Sequence, residues 1–237
     1  MYGFGYNDSG LMILIIIALV LSLIAQSKVT GTFNKYSKVK SIRGYTGADV
    51  AKMLLQQNGV TDVEVREVGG VLSDNFNPIN KTVNLSKAVF SSTSLAAISV
   101  AAHETAHALQ HNRGYIPLKF RSAMFPIVSF SSKLAMPLFA IGVFISGVIN
   151  SYIIALIGAI LFAAVVLFQI VTLPVEFNAS SDALKMLVEF GYLTPDENKG
   201  AKKVLTAAAL TYIAATAMAI LQLLRILAMI SGGRRRK

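Results

Sequence analysis

The sequence contains no cysteine. That absence excludes disulfides and any thiolate metal site, and it leaves the redox compartment open. Charge is also scarce: 14% of the 237 residues are charged while 54% are hydrophobic. Such a balance is too apolar for an ordinary soluble domain and points to a membrane protein. Acidic residues number 12 against 22 basic ones, and histidine is rarer still, with three in the whole chain. No internal repeat and no low-complexity tract is present.

The apolar residues are clumped. Leu11 to Ala25 carries no charge, and neither does Tyr152 to Val175, a run long enough to cross a bilayer core. Met124 to Ile149 is apolar apart from Lys133, and Val204 to Ile230 apart from Arg225. Four membrane segments follow, the second and third joined by Asn150 and Ser151 into a helical hairpin. The front end MYGFGYNDSG lacks the basic residues of a signal peptide, and QSKVTG offers no small-x-small cleavage pattern, so the first segment reads as a retained anchor. With only Lys133 and Arg225 as charges inside the spans, a channel or transporter has no support.

The net charge of +10 does not signal nucleic acid, because of where it lies. Twelve lysines and arginines fall between Lys28 and Arg121 and four between Lys185 and Lys203, whereas the head before Leu11 and the hairpin turn have none. The positive-inside rule places both basic stretches in the cytoplasm. The tail GGRRRK adds four basic residues. A single final crossing would put them on the opposite side, so either the last segment is re-entrant or the tail breaks the rule.

Between the first two spans lies the one region that reads as globular, roughly Val29 to Arg121. GYTGADVAKMLLQQNGV predicts a short amphipathic helix, N-capped by Thr46, with Val50, Met53 and Leu54 buried and Gly59 ending it. TDVEVREVGG alternates as a strand does, SDNFNPIN is dense in turn formers, and KTVNLS predicts a second strand. After Ser91 and Ser92, either able to cap a helix, TSLAAISVAAHETAHALQH has apolar residues at helical spacing.

All three histidines fall within AAHETAHALQH. On a helix His103 and His107 lie four apart on one face and can offer two imidazole nitrogens to one metal ion. Glu104 stands next to the first, where it can take a proton from a water activated by that metal. Imidazole with carboxylate suits zinc, which in catalytic sites takes three protein ligands and keeps a position open. His111 can be an extra ligand, a transition-state donor or an exposed helix-end histidine. For the third ligand, Glu176 in LPVEFNASSDAL stands out: a carboxylate at a membrane edge is costly unless paired or ligating. Two spans separate it from His107, so it returns to the same side. Asp182, six positions on, occupies another helical face and is read as structural.

HETAH, preceded by KTVNLS and followed across two spans by LPVEFNAS, resembles the YugP-type neutral zinc metallopeptidases, multi-spanning bacterial membrane proteins, and more distantly the HtpX-type and CAAX-processing membrane proteases. The resemblance runs from GYTGADVAKMLL to the C-terminal span. It implies one zinc ion held by His103, His107 and Glu176, with Glu104 as general base. Two stretches depart from the family pattern: Asn178 stands where an aspartate is expected, and DNFNP where DHYDP is expected, with Asn75 and Asn77 replacing a histidine and an aspartate.

The expected fold is mainly α: a multi-spanning helical membrane protein with a small α+β zincin-like metalloprotease domain. It divides into an anchor (1–27), an α+β domain with the HExxH helix (28–122), a transmembrane hairpin (123–175), a helix supplying the third ligand (176–203) and a last membrane segment with the basic tail (204–237). The expected activity is that of a membrane zinc endopeptidase. Its partners are protein or peptide substrates associated with the membrane, the lipid bilayer, and no nucleic acid. The site lies on the cytoplasmic face of the cell membrane. If KTVNLS forms the sheet edge, an extended peptide can add to it; otherwise it is a core strand. Tyr212, Tyr115, Asn75 and His111 are candidates for stabilising the oxyanion. An intramembrane site-2-type protease would need a later Leu-Asp-Gly motif, which is absent. The competing class is a non-catalytic membrane scaffold with a structural metal site.

Overall fold

A computed structural model describes residues 6–70, 72–149 and 151–235. Asn150 of the hairpin turn and the last two residues of the basic tail lie outside them. Among the described residues are seven helices and one three-stranded sheet. The helices are α1 (Tyr6–Tyr36), α2 (Gly47–Gln57), α3 (Lys87–Phe90), α4 (Leu95–Asn112), α5 (Ile116–Ile149), α6 (Ile153–Glu189) and α7 (Pro195–Arg235). The strands are β1 (Glu64–Val68), β2 (Asn75–Asn77) and β3 (Thr82–Ser86). The protein is mainly α, with a small α+β part, and four of its helices (α1, α5, α6 and α7) are long and apolar enough to cross a membrane.

The chain divides into two compact units. One comprises residues 1–24, 120–173 and 212–237. Phe139, Ala155, Ala159, Ile226 and Ile230 are buried together there. Two glycines let α5 and α6 approach closely. A Cβ at Gly142 would lie 2.1 Å from the Ala155 nitrogen, and one at Gly158 would lie 2.5 Å from the Phe139 nitrogen. Small residues at a helix contact are how spans pack without a hydrophobic driving force between them. Large apolar side chains such as Leu19, Leu23, Phe144 and Ile160 face outward, as lipid-facing residues do. Helix α7 runs unbroken to Arg235, so the last segment contains no re-entrant turn.

The other unit comprises residues 25–119 and 174–211. Helix α1 does not stop at the expected end of the anchor but continues to Tyr36, where Phe33 and Tyr36 pack on the core of this unit. Helix α2 begins in a capping box: the Thr46 hydroxyl accepts from the Asp49 amide, and the Asp49 carboxylate accepts from the Thr46 amide. Val50 and Leu54 are fully buried, as their spacing predicts, and Ala51 and Leu55 widen the stripe. Gly59 ends the helix region at φ +71°, a backbone conformation that favours glycine.

The sheet runs in the order β1-β3-β2, with β1 parallel and β2 antiparallel to β3. KTVNLS is therefore the central strand, and of the two alternatives, sheet edge or core strand, the second holds. Its Val83 and Leu85 are fully buried, which an edge strand beside a peptide groove would not require. The edges are β1 and β2, and β2 lies within the stretch read as turn. Asp74 fixes the chain entering β2, accepting from the amide and hydroxyl of Ser86 at the end of β3.

Candidate metal centre

Helix α4 starts at Ser94, whose hydroxyl accepts from the Ala97 amide. The cap falls later than Ser91 or Ser92 because Ser92 instead hydrogen-bonds Ser94. Ala97, Ala101, Ala102, Ala106 and Ala108 are all buried, and their small side chains let neighbouring elements close on the helix. Ser99 and Thr105, also buried, turn their hydroxyls back to the carbonyls of Leu95 and Ala101, so neither leaves a polar atom orphaned.

One helical turn apart on α4, the rings of His103 and His107 stand 4.7 Å between centroids and nearly perpendicular, at 81°. From α6 comes Glu176, only 2% exposed. Its Oε2 lies 3.2 Å from His103 Nε2 and 3.5 Å from His107 Nε2. A carboxylate this buried requires partners, and it finds them in the two imidazoles. Burial works against charge on the His107 ring, but the hydrogen bond that the ring donates to Glu176 and the nearby charge of Glu104 outweigh it, and the imidazole titrates above its ordinary value.

One ligand atom from each of these three residues lies within 4.8 Å of the others, so the group can hold a metal ion. The spacing suits zinc. Ligand atoms about 2.0–2.1 Å from a tetrahedral zinc stand roughly 3.3 Å apart, and the separations of Glu176 Oε2 from the two imidazoles, 3.2 Å and 3.5 Å, bracket that value. Both histidines turn Nε2 inward and give Nδ1 to a second layer. His103 Nδ1 is 3.2 Å from Ser180 Oγ, and His107 Nδ1 is 3.0 Å from Gln110 Oε1. Gln110 in turn donates to the Val175 carbonyl and to Asn178 Oδ1.

Glu104 stays out of the cluster. Its Oε2 accepts the amide of Phe76 on β2 at 3.0 Å, which ties the carboxylate to the sheet edge and leaves Oε1 available. His111 is exposed at the far end of α4, its ring 5.7 Å from that of Phe76, beside Asp62 and Lys81; among the described residues it does not join the metal group. Asn75 pairs with Asn84 across the strands. Tyr212 belongs to the other unit. Asp182 lies 3.9 Å from Arg113, a structural ion pair.

Gln110, Ser180 and the Phe76 amide were not singled out by the sequence. The first two carried a legible signal: Gln110 is three residues after His107 and Ser180 four after Glu176, both spacings that share a helix face. The Phe76 amide carried none, being a backbone group on a strand of three residues.

Residues 11–231 match the profile of a family described as "Putative neutral zinc metallopeptidase". The chain belongs to this family. It is 47% identical over 221 residues to "Putative membrane protease YugP" of Bacillus subtilis (strain 168), covering 93% of this chain and 96% of that protein. No solved structure matches. Membership agrees with the resemblance carried by HETAH and LPVEF, and a zinc metallopeptidase family calls for a donor set such as the one gathered here.

Proposed function

We propose that this protein is an integral membrane zinc endopeptidase in which His103, His107 and Glu176 hold one zinc ion and Glu104 is the general base. The observation that carries the reading is the burial of the Glu176 carboxylate against both imidazoles, 73 residues from His103 in sequence. A zinc ion held by these residues would supply a water with its pKa lowered to about 7 and a Lewis acid for the carbonyl. Glu104, held by the Phe76 amide, takes the proton as the water oxygen attacks the peptide carbonyl carbon. It passes that proton to the amine nitrogen as the C–N bond breaks, so no net proton is gained or lost. Because β3 is central, substrate alignment moves to an edge, and of the two edge strands β2 is the one whose Phe76 amide meets Glu104. Substrates are proteins or peptides at the membrane.

The two basic stretches assign the site to the cytoplasmic side. Because α7 is unbroken to Arg235, the reading of the tail as an exception to the rule is the one we keep.

The test uses the full chain purified in detergent. Zinc per chain is counted, and cleavage of varied peptides is compared between wild type and Glu104→Gln. About one zinc per chain is expected in both, with the variant slowed on the order of 10²–10⁴-fold. Equal cleavage by both would refute the mechanism. Zinc retained by a wild type that cleaves nothing would favour the structural-scaffold reading.

A further inference from the structure

We propose that Gln110 determines which nitrogen of His107 is offered to the metal, and that it takes its own orientation from the main-chain carbonyl of Val175. The inference rests on the metallopeptidase reading, since it concerns how that site is prepared for zinc. An amide side chain is nearly symmetric in shape, so its direction is set by what its two ends face. Gln110 is buried, and both ends have protein partners.

A backbone carbonyl can only accept. The Val175 oxygen, 2.9 Å away, therefore requires the NH₂ end of Gln110 on its side. The second N–H of that group reaches Asn178 Oδ1 at 2.7 Å, which fixes the direction of Asn178 as well. The oxygen of Gln110 is left facing His107 Nδ1 at 3.0 Å. Since that oxygen cannot donate, Nδ1 must carry the proton. The lone pair of a neutral ring is then on Nε2, the nitrogen turned toward Glu176. The polarity of the whole chain thus starts at a carbonyl that cannot reverse, one residue before the third ligand. Helix α6 supplies both that ligand and the instruction for the ligand opposite.

His103 is prepared differently. Its Nδ1 faces the hydroxyl of Ser180, which can donate or accept by rotating. Ser180 supports the ring without imposing a tautomer. Gln110 is a positioning residue, and Ser180 is the matched control.

The experiment uses the full chain in detergent, with spin-active isotopes in its histidines and in cadmium bound in place of zinc. The chain has three histidines, so few ring signals need assignment. In the wild type, coupling to cadmium is expected at Nε2 of His107, together with a slowly exchanging Nδ1 proton; coupling at Nδ1 overturns the proposal without any variant. Zinc affinity is then measured by competition with a chelator. Gln110→Leu is expected to bind zinc about 10–100-fold more weakly and to lose the slow Nδ1 proton. Gln110→Glu keeps an acceptor toward His107 but sets its second oxygen against the Val175 carbonyl, so it should weaken zinc binding too while keeping the slow Nδ1 proton that Gln110→Leu loses. Ser180→Ala should weaken zinc by less than Gln110→Leu does. Wild-type affinity in Gln110→Leu, or a slow Nδ1 proton kept in Gln110→Leu or lost in Gln110→Glu, overturns the proposal alone. A wild type that binds neither metal removes the metallopeptidase reading, and this inference with it.

Discussion

Replacing Glu176 by glutamine separates the folding role of this residue from its role toward metal. The amide matches the carboxylate in size, so packing at this 2%-exposed position is kept. Lost are the charge and one of the two acceptor oxygens, which an NH₂ group replaces. Without metal, weakening hydrogen bonds at a buried site costs about 1–3 kcal/mol. At roughly 2–4 °C per kcal/mol for a chain of this size, the variant should melt about 2–12 °C lower. The metal response should change far more. Losing a partner behind a ligand already costs about 10–100-fold in metal affinity, so losing one of three ligands should cost at least about 100-fold. With free zinc at 100 times the wild-type Kd, wild type gains about 2.7 kcal/mol; the variant, its Kd now near that concentration, gains about 0.4 kcal/mol. In melting temperature this is about 5–11 °C against about 1–2 °C.

The comparison is clean because the unfolded chain, with no cysteine and three histidines, offers zinc little to bind. The chain also has no tryptophan, so melting is best followed by the helical circular dichroism signal in detergent, with and without zinc. A Glu176→Gln protein that keeps the full zinc-induced rise in melting temperature would refute the ligand assignment.

Gly158→Val should destabilise the unit containing the hairpin by about 1–3 kcal/mol or more, because an added Cβ meets the Phe139 nitrogen at 2.5 Å and the Ala135 oxygen at 2.8 Å, both backbone atoms; a melting temperature equal to wild type would show that the helices are not in that contact. Asp49→Ala should cost about 0.5 kcal/mol at neutral pH, a low value because the cap is exposed to solvent. The carboxyl of Asp49 is held below its ordinary value, chiefly by the Thr46 hydroxyl. Its contribution is therefore complete above the unfolded value near 3.9 and fades as pH falls through the lower folded value. Melting curves of wild type and variant should converge in acid, and a gap that widened there would contradict the capping-box assignment.

Much of this architecture was legible in the sequence because its signals are local or governed by parity. The four spans are long apolar runs, two of them broken only by Lys133 and Arg225, and HETAH brings two imidazoles together through helical spacing alone. Glu176 was reachable because an even number of crossings returns the chain to its starting side and a membrane-edge carboxylate demands a partner. The order of the strands was not legible. Val83 and Leu85 alternate in the same way whether β3 has one neighbour or two, and its second neighbour is three residues long and set among turn formers. The end of α1 was also hidden. Hydropathy falls after Ala25, but nothing in SKVTGTFNKY stops a helix, and Phe33 and Tyr36 find a core to pack on. Helix α6 likewise runs straight through the expected boundary at Glu176, with Pro174 inside it.

Asn75, Asn77 and Asn178, standing where the resemblance implies a histidine and two aspartates, bear on the reading of the site as catalytic. Each uses its side-chain oxygen as an acceptor. Asn178 accepts from Gln110, Asn77 accepts from the amides of Ile79 and Asn80, and Asn75 accepts from Asn84. An aspartate could make the bonds of Asn77 and Asn178 with the same geometry, so the amide removes a charge there without removing the contact. At position 178 that charge would sit behind Gln110, one hydrogen bond further from the His107 ring, where it would strengthen the ring's hold on a proton and its basicity toward a metal alike. Its loss tunes the affinity and pH range of the site but deletes neither a ligand nor Glu104. The departures therefore give the scaffold reading no support of their own; that reading would require a defect at Glu104 or in the three ligand side chains, and all four are present, with the ligand atoms of His103, His107 and Glu176 facing one another.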